Sequence, residues 1–365
     1  MLYTGVDGSR SGLGRALRRA DGSFARDERV VANVTPSGYQ DMRDPWVVAT
    51  EDGWLALIGS GTPDHTAARI LAWTSADSIE WAFAGGFDIG GAVMPGAFWE
   101  LPVLKPIGER WLLMGTPVIA DEPARTYYWI GDFDGTRFVP DDPEPHQYDL
   151  FRALLAPTLA SDAAGRMIAI GVIPDDGQRP ESERRRAGWV HALSLPVQLT
   201  LCADGRLCQS LAAELAEAFP RAVALPDTAN LETADLALDP GTDPVRVEAT
   251  FAIPEGDAVE IGLRATPDGS EVTRLTLRPA EGEIVLDNTD GSQAPWARDD
   301  RITGPVPAQD RARLDLVIDG TAVSGTINGQ VFGFLIYPQS PDATMLTVRG
   351  DGAASISDIT ITVQE

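Results

Sequence analysis

Two carboxylic acids have the surroundings that acid catalysis requires. Glu100 lies between Trp99 and a Leu-Pro pair in the apolar stretch Phe98–Pro102. Burial among such side chains raises the pKa of a carboxyl group, and a raised pKa prepares it to act as a general acid. Asp44, 56 residues earlier, also lies just before a proline and close to a tryptophan. Two carboxyl groups at matching positions of a repeat predict one shared cleft.

Composition excludes several classes of partner. The 365 residues carry a net charge of -25, which argues against binding a nucleic-acid backbone. No apolar run approaches the ~18 residues of a membrane-spanning helix. The three histidines stand singly in the sequence. We therefore expect neutral substrates, with no nucleic acid, membrane, metal or cofactor; the sequence leaves open the oligomeric state and the choice between a cytoplasmic and a secreted protein.

The two cysteines, Cys202 and Cys208, flank a short polar turn. A pair in a chain of this length is not a disulfide framework, and its spacing is not that of a zinc site. We favour two unbridged cysteines over a bridge across the hairpin.

A repeat of about 56 residues organises the first half of the chain. Glycines end an apolar strand in each copy, at Gly59, Gly115 and Gly171. A proline precedes each glycine by 13 or 14 residues, at Pro45, Pro102 and Pro157. A further strand and a polar hairpin follow each glycine, and Trp189–Ser194 is predicted to be such a strand in the third copy. Four short strands per period are typical of a β-propeller blade.

The start of the chain matches the second strand of a blade, because Gly5 lies 54 residues before Gly59. Three complete periods and a partial one would leave a propeller ring open, whereas closed rings have about four to eight blades. We therefore interpret Met1 as an internal methionine and expect the first blade, with any N-terminal signal, to be missing.

The second half has a different pattern. Ser210 to Phe219 predicts a short helix with Ser210 as its N-cap, and 221–243 reads as a linker. Nine candidate strands follow, with a hairpin signal at Asn328-Gly329. These strands predict a β-sandwich. The expected all-β organisation is a propeller domain over 1–207, a helix and linker over 208–243, and a sandwich over 244–365.

Four motifs in this order resemble glycoside hydrolase family 32, which includes invertases, levanases and inulinases. They are Arg43-Asp44-Pro45, Trp99-Glu100-Leu101-Pro102, Gly131–Gly135 and Gly188–Pro196. The resemblance implies a five-bladed β-propeller that carries the active site, followed by a C-terminal β-sandwich. It also implies retaining hydrolysis of terminal fructosyl bonds in sucrose or fructans.

The resemblance assigns roles to individual residues. Glu100 matches the family's acid/base, although Leu101 replaces the cysteine that usually follows it. Asp44 matches the aspartate that holds fructosyl hydroxyls and stabilises the transition state. Four further residues are expected to bind substrate: Arg43, Trp46, Trp99 and Asp149.

The family's nucleophile is the aspartate of an Asn-Asp-Pro-Asn-Gly motif, which does not occur in these 365 residues. The nearest string, Asp141-Asp142-Pro143, lies in a stretch that reads as a loop. Since a retaining mechanism needs both carboxyl groups, we expect this chain alone to be inactive. The sequence does not distinguish sucrose, inulin and levan as substrates, or hydrolysis from fructosyl transfer.

Other interpretations stay open. A carbohydrate-binding propeller without catalysis fits if the chain is complete as written. An arabinan-cleaving five-bladed hydrolase fits the repeat and the paired acids, but it predicts neither the sandwich nor the Gly131–Gly135 motif. Asp44 and Arg43 could also form a structural ion pair.

Overall fold

The computed structural model describes residues 1–7, 10–119, 125–151, 153–175, 179–294, 296 and 301–364. The chain divides into two compact units. The first comprises Met1–Tyr148 and Thr200–Arg206, and the second comprises Asp149–Leu199 and Leu207–Glu365. The helices of the described residues are α1 (Glu181–Ala187) and α2 (Leu215–Ala218). Neither has the length or apolar character needed to cross a membrane.

The first unit is built from short antiparallel strands. They are β1 (Leu2–Asp7), β2 (Arg10–Arg18), β3 (Phe24–Ala32), β4 (Arg43–Thr50), β5 (Gly53–Gly61), β6 (Ala68–Ser75), β7 (Ala82–Gly86), β8 (Phe98–Ile107), β9 (Arg110–Val118), β10 (Tyr127–Phe133), β11 (Phe138–Pro140) and β12 (His146–Gln147). One sheet has the order β1-β2-β3. A second contains two successive copies of the repeat, β4 to β7 and β8 to β11, joined where Gly61 of β5 pairs with Phe98 of β8.

The inner strand of each copy contains the same irregularity. The pairing register shifts between Arg43 and Trp46 in β4 and between Glu100 and Val103 in β8. Within each bulge, the residue before the proline has a positive φ, 56° at Asp44 and 51° at Leu101. Asp44 therefore corresponds to Leu101, and Arg43 corresponds to Glu100. The expected match of Asp44 with Glu100 is wrong by one residue, because the spacing of the glycines does not follow the bulges.

The second unit holds the remaining strands. They are β13 (Leu155–Ser161), β14 (Met167–Ile173), β15 (Ala192–Leu193), β16 (Val197–Leu201, whose last two residues lie in the first unit), β17 (Leu207–Leu211), β18 (Arg221–Ala222), β19 (Asp235–Leu238), β20 (Val245–Ala252), β21 (Val259–Ala265), β22 (Thr273–Arg278), β23 (Glu283–Asp287), β24 (Arg301–Pro305), β25 (Arg311–Asp319), β26 (Ala322–Ile327), β27 (Gln330–Leu335), β28 (Met345–Gly350) and β29 (Ser355–Val363). The third copy of the repeat begins at β13, where Ala156 repeats the bulge with a φ of 52°.

The later strands form two sheets, in the orders β18-β29-β20-β25-β26-β27 and β19-β28-β21-β22-β23-β24. Their alternating apolar residues build one buried core, which includes Val247, Phe251, Ile261 and Leu316. All nine expected strands are present. Asn328-Gly329 forms the expected two-residue turn between β26 and β27, with a positive φ at both residues.

Three local expectations need correction. Trp189–Ser194 is not a full strand, since α1 precedes it and β15 is two residues long. Ser210 lies in β17 instead of capping a helix, and α2 begins only at Leu215. The stretch 221–243 contains β18 and β19, which pair with β29 and β28. Short strands with few apolar residues give little periodic signal. The domain boundaries at 207 and 243 stay a prediction.

Both cysteines are disulfide-bonded, so the expectation of unbridged cysteines is wrong. Cys202 follows β16 directly, and Cys208 is the second residue of the neighbouring strand β17. Neighbouring strands joined by a short turn bring residues this close in the sequence within the short Cα separation that a disulfide requires.

Gly115 gives the repeat its close packing around Trp99. A Cβ atom at Gly115 would lie 1.5 Å from Trp99 Nε1. Trp99 is fully buried and stacks on Trp129 with 5.4 Å between ring centroids, so it has no room to move aside. We expect Gly115→Ala to lower the free energy of unfolding by about 1–3 kcal/mol or more.

The matched control is Gly5→Ala, because the atoms nearest to a Cβ at Gly5 are 4.0 Å away. Urea denaturation of the two variants and the wild type measures both effects. Equal stability of the two variants would contradict the packing role of Gly115.

Candidate functional site

The bulges of β4 and β8 bring Asp44 next to the backbone of β8. The Asp44 Oδ2 atom accepts a hydrogen bond from the Leu101 N–H at 3.2 Å. The Asp44 N–H donates to Thr4 Oγ1 of β1 at 2.8 Å. An aspartate tolerates the positive φ of such a bulge better than most residues do. The two bulges thus hold the Asp44 carboxyl against the chain that carries Glu100.

Arg43 connects the carboxyl groups of the site. Its Nη1 donates to Glu100 Oε1 at 2.9 Å, and its Nη2 donates to Asp41 Oδ2. The guanidinium also lies over the Phe98 ring, 4.9 Å from the ring centroid. The structure therefore brings together three of the predicted site residues, Arg43, Asp44 and Glu100.

The electrostatics of the site suit an acid. Burial raises the pKa of Glu100, with a further increase from the Asp44 charge, and Arg43 opposes both. Burial also raises the pKa of Asp44, against the Leu101 N–H and Arg43. The Glu100 side chain is still 28% exposed, so it remains accessible to a ligand. A carboxyl group that keeps its proton closer to neutral pH is suited to donate it.

Asp41 is a member of the site that the sequence did not reveal. Its Oδ1 accepts hydrogen bonds from the Ser11 hydroxyl and from the Met42 N–H. Burial raises its pKa, but the bonds from Ser11, Arg43 and Met42 outweigh this and hold the pKa below its usual value. The hint that the sequence offers is position: Asp41 lies two residues before Arg43, in the segment that leads into β4.

The two tryptophans differ in accessibility. Trp46 is partly buried, and its indole N–H donates to the Leu104 carbonyl at 2.8 Å. Trp99 has no exposed surface and stacks on Trp129. The structure thus supports a packing role for Trp99 rather than a sugar contact, while a sugar contact of Trp46 stays a prediction.

Asp149 begins the second compact unit and is 2% exposed. Its Oδ2 accepts a hydrogen bond from the Ala153 N–H at 2.7 Å. Burial raises its pKa to about 6, although backbone N–H groups of Ala153, Leu154 and Phe151 act in the opposite direction. These contacts order the local turn, and substrate binding by Asp149 stays a prediction.

No group of three or more His, Cys, Asp or Glu side chains is placed to hold a metal ion in the part of the chain that the structure describes. The carboxyl groups of the site are instead held by Arg43, a serine hydroxyl and backbone N–H groups. Such an arrangement fits acid–base chemistry on a neutral polyol.

Comparison with protein-family models decides the family. The model of the glycosyl hydrolases family 32 N-terminal domain matches residues 1–210. The model of the family 32 C-terminal domain matches residues 222–363. The chain belongs to glycosyl hydrolase family 32.

Relatives within family 32 include enzymes of known name. A sucrose-6-phosphate hydrolase of Klebsiella pneumoniae is 29% identical over 299 residues, which cover 77% of this chain and 62% of that enzyme. A levanase of Bacillus subtilis is 24% identical over 89% of this chain and 50% of its own length. The chain thus spans about three fifths or less of the length of these two relatives.

Solved structures establish the fold. Sucrose-6-phosphate hydrolase from Lactobacillus gasseri matches the whole chain with a TM-score of 0.81 at 17% identity, over 75% of its own chain. A mutant β-fructofuranosidase from Bombyx mori in complex with sucrose matches with a TM-score of 0.76 at 20% identity, over 76% of its own chain. Together with the family models, they confirm the predicted five-bladed β-propeller fold with a C-terminal β-sandwich.

The buried Asp149 predicts a pH dependence of stability. Its pKa rises from 3.8 to about 6 on folding, so the folded state holds the proton more tightly than the unfolded state. The resulting stabilisation, about 3 kcal/mol, is complete below about pH 4 and is lost as the pH rises through about 6. We expect the difference in unfolding free energy between wild type and Asp149→Asn to shift in favour of the variant between pH 4.5 and 7.5.

Urea denaturation across this pH range measures the difference. Asp134→Asn is the control, because Asp134 is exposed and hydrogen bonds hold its pKa below its usual value, so it stays ionised throughout. Parallel stability profiles for wild type and Asp149→Asn would contradict the raised pKa.

Proposed function

We propose that this chain carries the acid and the sugar-binding carboxylate of a retaining β-fructofuranosidase, which acts on terminal fructosyl bonds of sucrose or a fructan. Family 32 membership supports the reaction class. The names of the relatives, sucrose-6-phosphate hydrolase and levanase, support a fructoside as substrate.

The observation that carries the proposal is that the bulges of β4 and β8 place the Asp44 carboxyl against the backbone of the residue that follows Glu100. Asp44 Oδ2 accepts the Leu101 N–H at 3.2 Å, and the adjacent Glu100 pairs with Arg43 at 2.9 Å. In a retaining reaction, a second carboxylate attacks the anomeric carbon and forms a glycosyl ester, while Glu100 donates its proton to the glycosidic oxygen and the leaving group departs as an alcohol. Water then attacks the anomeric carbon and displaces that carboxylate, and the ionised Glu100 removes the proton of the attacking water.

Asp44 binds the fructosyl ring, on the side of the glycosidic bond opposite the leaving group. Its Oδ2 is held by the Leu101 N–H, which leaves Oδ1 to accept hydrogen bonds from hydroxyls of the fructosyl ring. These bonds strengthen as the ring gains positive charge on the way to the oxocarbenium-like transition state. Burial raises the pKa of Asp44, and the Leu101 N–H and Arg43 act against this increase and so favour the charged form that this role needs.

The attacking carboxylate is not assigned to any residue of this chain. Asp41 is unsuited to attack, because Ser11 and Met42 bind its Oδ1 and Arg43 binds its Oδ2. The Asn-Asp-Pro-Asn-Gly motif of the family does not occur in the sequence. We therefore expect the 365-residue chain to bind a fructoside without turning it over.

Titration calorimetry of the purified chain with sucrose and fructose tests the binding. We expect Asp44→Asn to weaken binding about 10- to 100-fold, because a hydrogen bond to a charged group is worth about 1.5–3 kcal/mol. Asp64→Asn should bind like the wild type, since Asp64 bonds to Thr66 in an exposed turn. Glu100→Gln should retain most of the affinity, because the amide still reaches the glycosidic oxygen.

Three other outcomes would contradict a part of the proposal. Equal affinity of Asp44→Asn and wild type would contradict the proposed sugar contact. Tighter binding of an arabinan oligosaccharide than of sucrose would favour another five-bladed glycosidase. Release of fructose by the chain above the level of Glu100→Gln would contradict the expected inactivity while supporting the acid role of Glu100.

A further inference from the structure

Asp41 is held in place by hydrogen bonds to both its side chain and its backbone carbonyl. The Ser11 hydroxyl and the Met42 N–H both donate to its Oδ1, and Met42 N–H also contacts Ser11 Oγ at 3.1 Å. The Ser60 hydroxyl donates to the Asp41 backbone carbonyl at 2.6 Å. Ser11 and Ser60 are both buried. These contacts from β2 and β5 fix the position of the carboxylate.

The fixed carboxylate engages Arg43, the same residue that engages the proposed acid. Arg43 donates from Nη2 to Asp41 Oδ2 and from Nη1 to Glu100 Oε1. Phe98 covers one face of the guanidinium. Two carboxylates therefore share one cation whose position is set from three sides.

Because Arg43 is shared with Asp41, it stabilises the ionised form of Glu100 less than it otherwise would. An arginine that bonded Glu100 with both terminal nitrogens would stabilise the ionised carboxylate strongly, because bidentate pairs are the strongest ion pairs. Such a Glu100 would hold its proton poorly. In this site, Asp41 occupies the second terminal nitrogen, and the contact with Glu100 uses Nη1.

We infer that Asp41 is a positioning residue that holds the Arg43 guanidinium back from a bidentate contact with Glu100 and thereby keeps Glu100 protonated for acid catalysis. This inference rests on the proposed function, since it takes Glu100 as the acid. It adds a residue to the site and assigns it a role that neither Asp44 nor Glu100 can perform.

The electrostatics agree with this role. Asp41 has a pKa held below its usual value, so it stays ionised over the working range of pH. Burial raises the pKa of Glu100, and the charges of Asp44 and Asp41 raise it further, while Arg43 lowers it. Removal of the Asp41 charge therefore acts on Glu100 in two ways, directly and by freeing Arg43, and both lower the pKa.

The test is a carbon-13 NMR titration of the full chain with labelled glutamate carboxyl groups. The Glu100 signal is assigned from its loss in Glu100→Gln. We expect Asp41→Asn to lower the pKa of Glu100, because the amide retains the bonds from Ser11 and Met42 but releases Arg43. Asp132→Asn is the matched control: it removes one carboxylate that pairs with Arg110, and it should leave the Glu100 pKa unchanged.

A second background separates the two effects of Asp41. In Arg43→Gln, no guanidinium remains to be shared, so Asp41→Asn should lower the Glu100 pKa by clearly less than it does in the wild type. An equal shift in both backgrounds, no shift, or a shift upward would overturn the inference. A residue that only stabilised the fold would give no such dependence on Arg43.

Ser11→Ala keeps the test valid if Asp41→Asn does not fold. This variant leaves the Asp41 charge in place but removes the hydroxyl that orients it, so the Glu100 pKa should fall by a smaller amount. An unchanged Glu100 pKa in a folded Ser11→Ala variant would then count against the inference. The titration needs no substrate, so its outcome is separate from the binding experiment on the proposed function.

Discussion

The geometry of the site depends on the bulge that contains each repeat proline. At this point the inner strand takes a positive φ at Asp44, Leu101 and Ala156. Such a conformation costs about 1–2 kcal/mol at a residue other than glycine. In the first two copies the bulges also contact each other, because the Leu101 N–H donates to Asp44 Oδ2. The bulges thus hold the Asp44 carboxyl next to the strand that carries Glu100. Because Arg43, and not Asp44, occupies the position that corresponds to Glu100, the Arg43 guanidinium lies beside the Glu100 carboxyl.

The chemistry of the site follows from the fact that three carboxyl groups share the positive charge of one arginine. Asp41, Asp44 and Glu100 all interact with Arg43, which cannot satisfy the three equally. Asp41 receives additional bonds from Ser11 and Met42 and remains ionised. Glu100 and Asp44 are left with burial as the dominant influence, which raises their pKa values. Unequal hydrogen bonding therefore distinguishes the anchoring carboxylate, Asp41, from the proposed acid, Glu100.

Much of this arrangement could be predicted from the sequence. The apolar neighbours of Glu100 and the Arg-Asp-Pro string pointed to both proposed catalytic groups. Asp41 was missed because its importance comes from Ser11, which lies 30 residues earlier and reaches it only through the fold. The one-residue offset was missed because the glycine spacing conceals the bulges. Trp99 was expected to contact a sugar, but it packs in a space that exists because residue 115 is a glycine. A single sequence does not show such a contact.

The most direct test of the central claim is a crystal structure of the Glu100→Gln variant with sucrose. The account predicts that the side-chain amide at position 100 lies within hydrogen-bond distance of the glycosidic oxygen, and that the Asp44 carboxylate accepts a bond from a hydroxyl of the fructosyl ring. The Arg43 guanidinium should still bind Asp41. Sucrose bound elsewhere on the chain, with neither position 100 nor Asp44 in contact with it, would contradict the account.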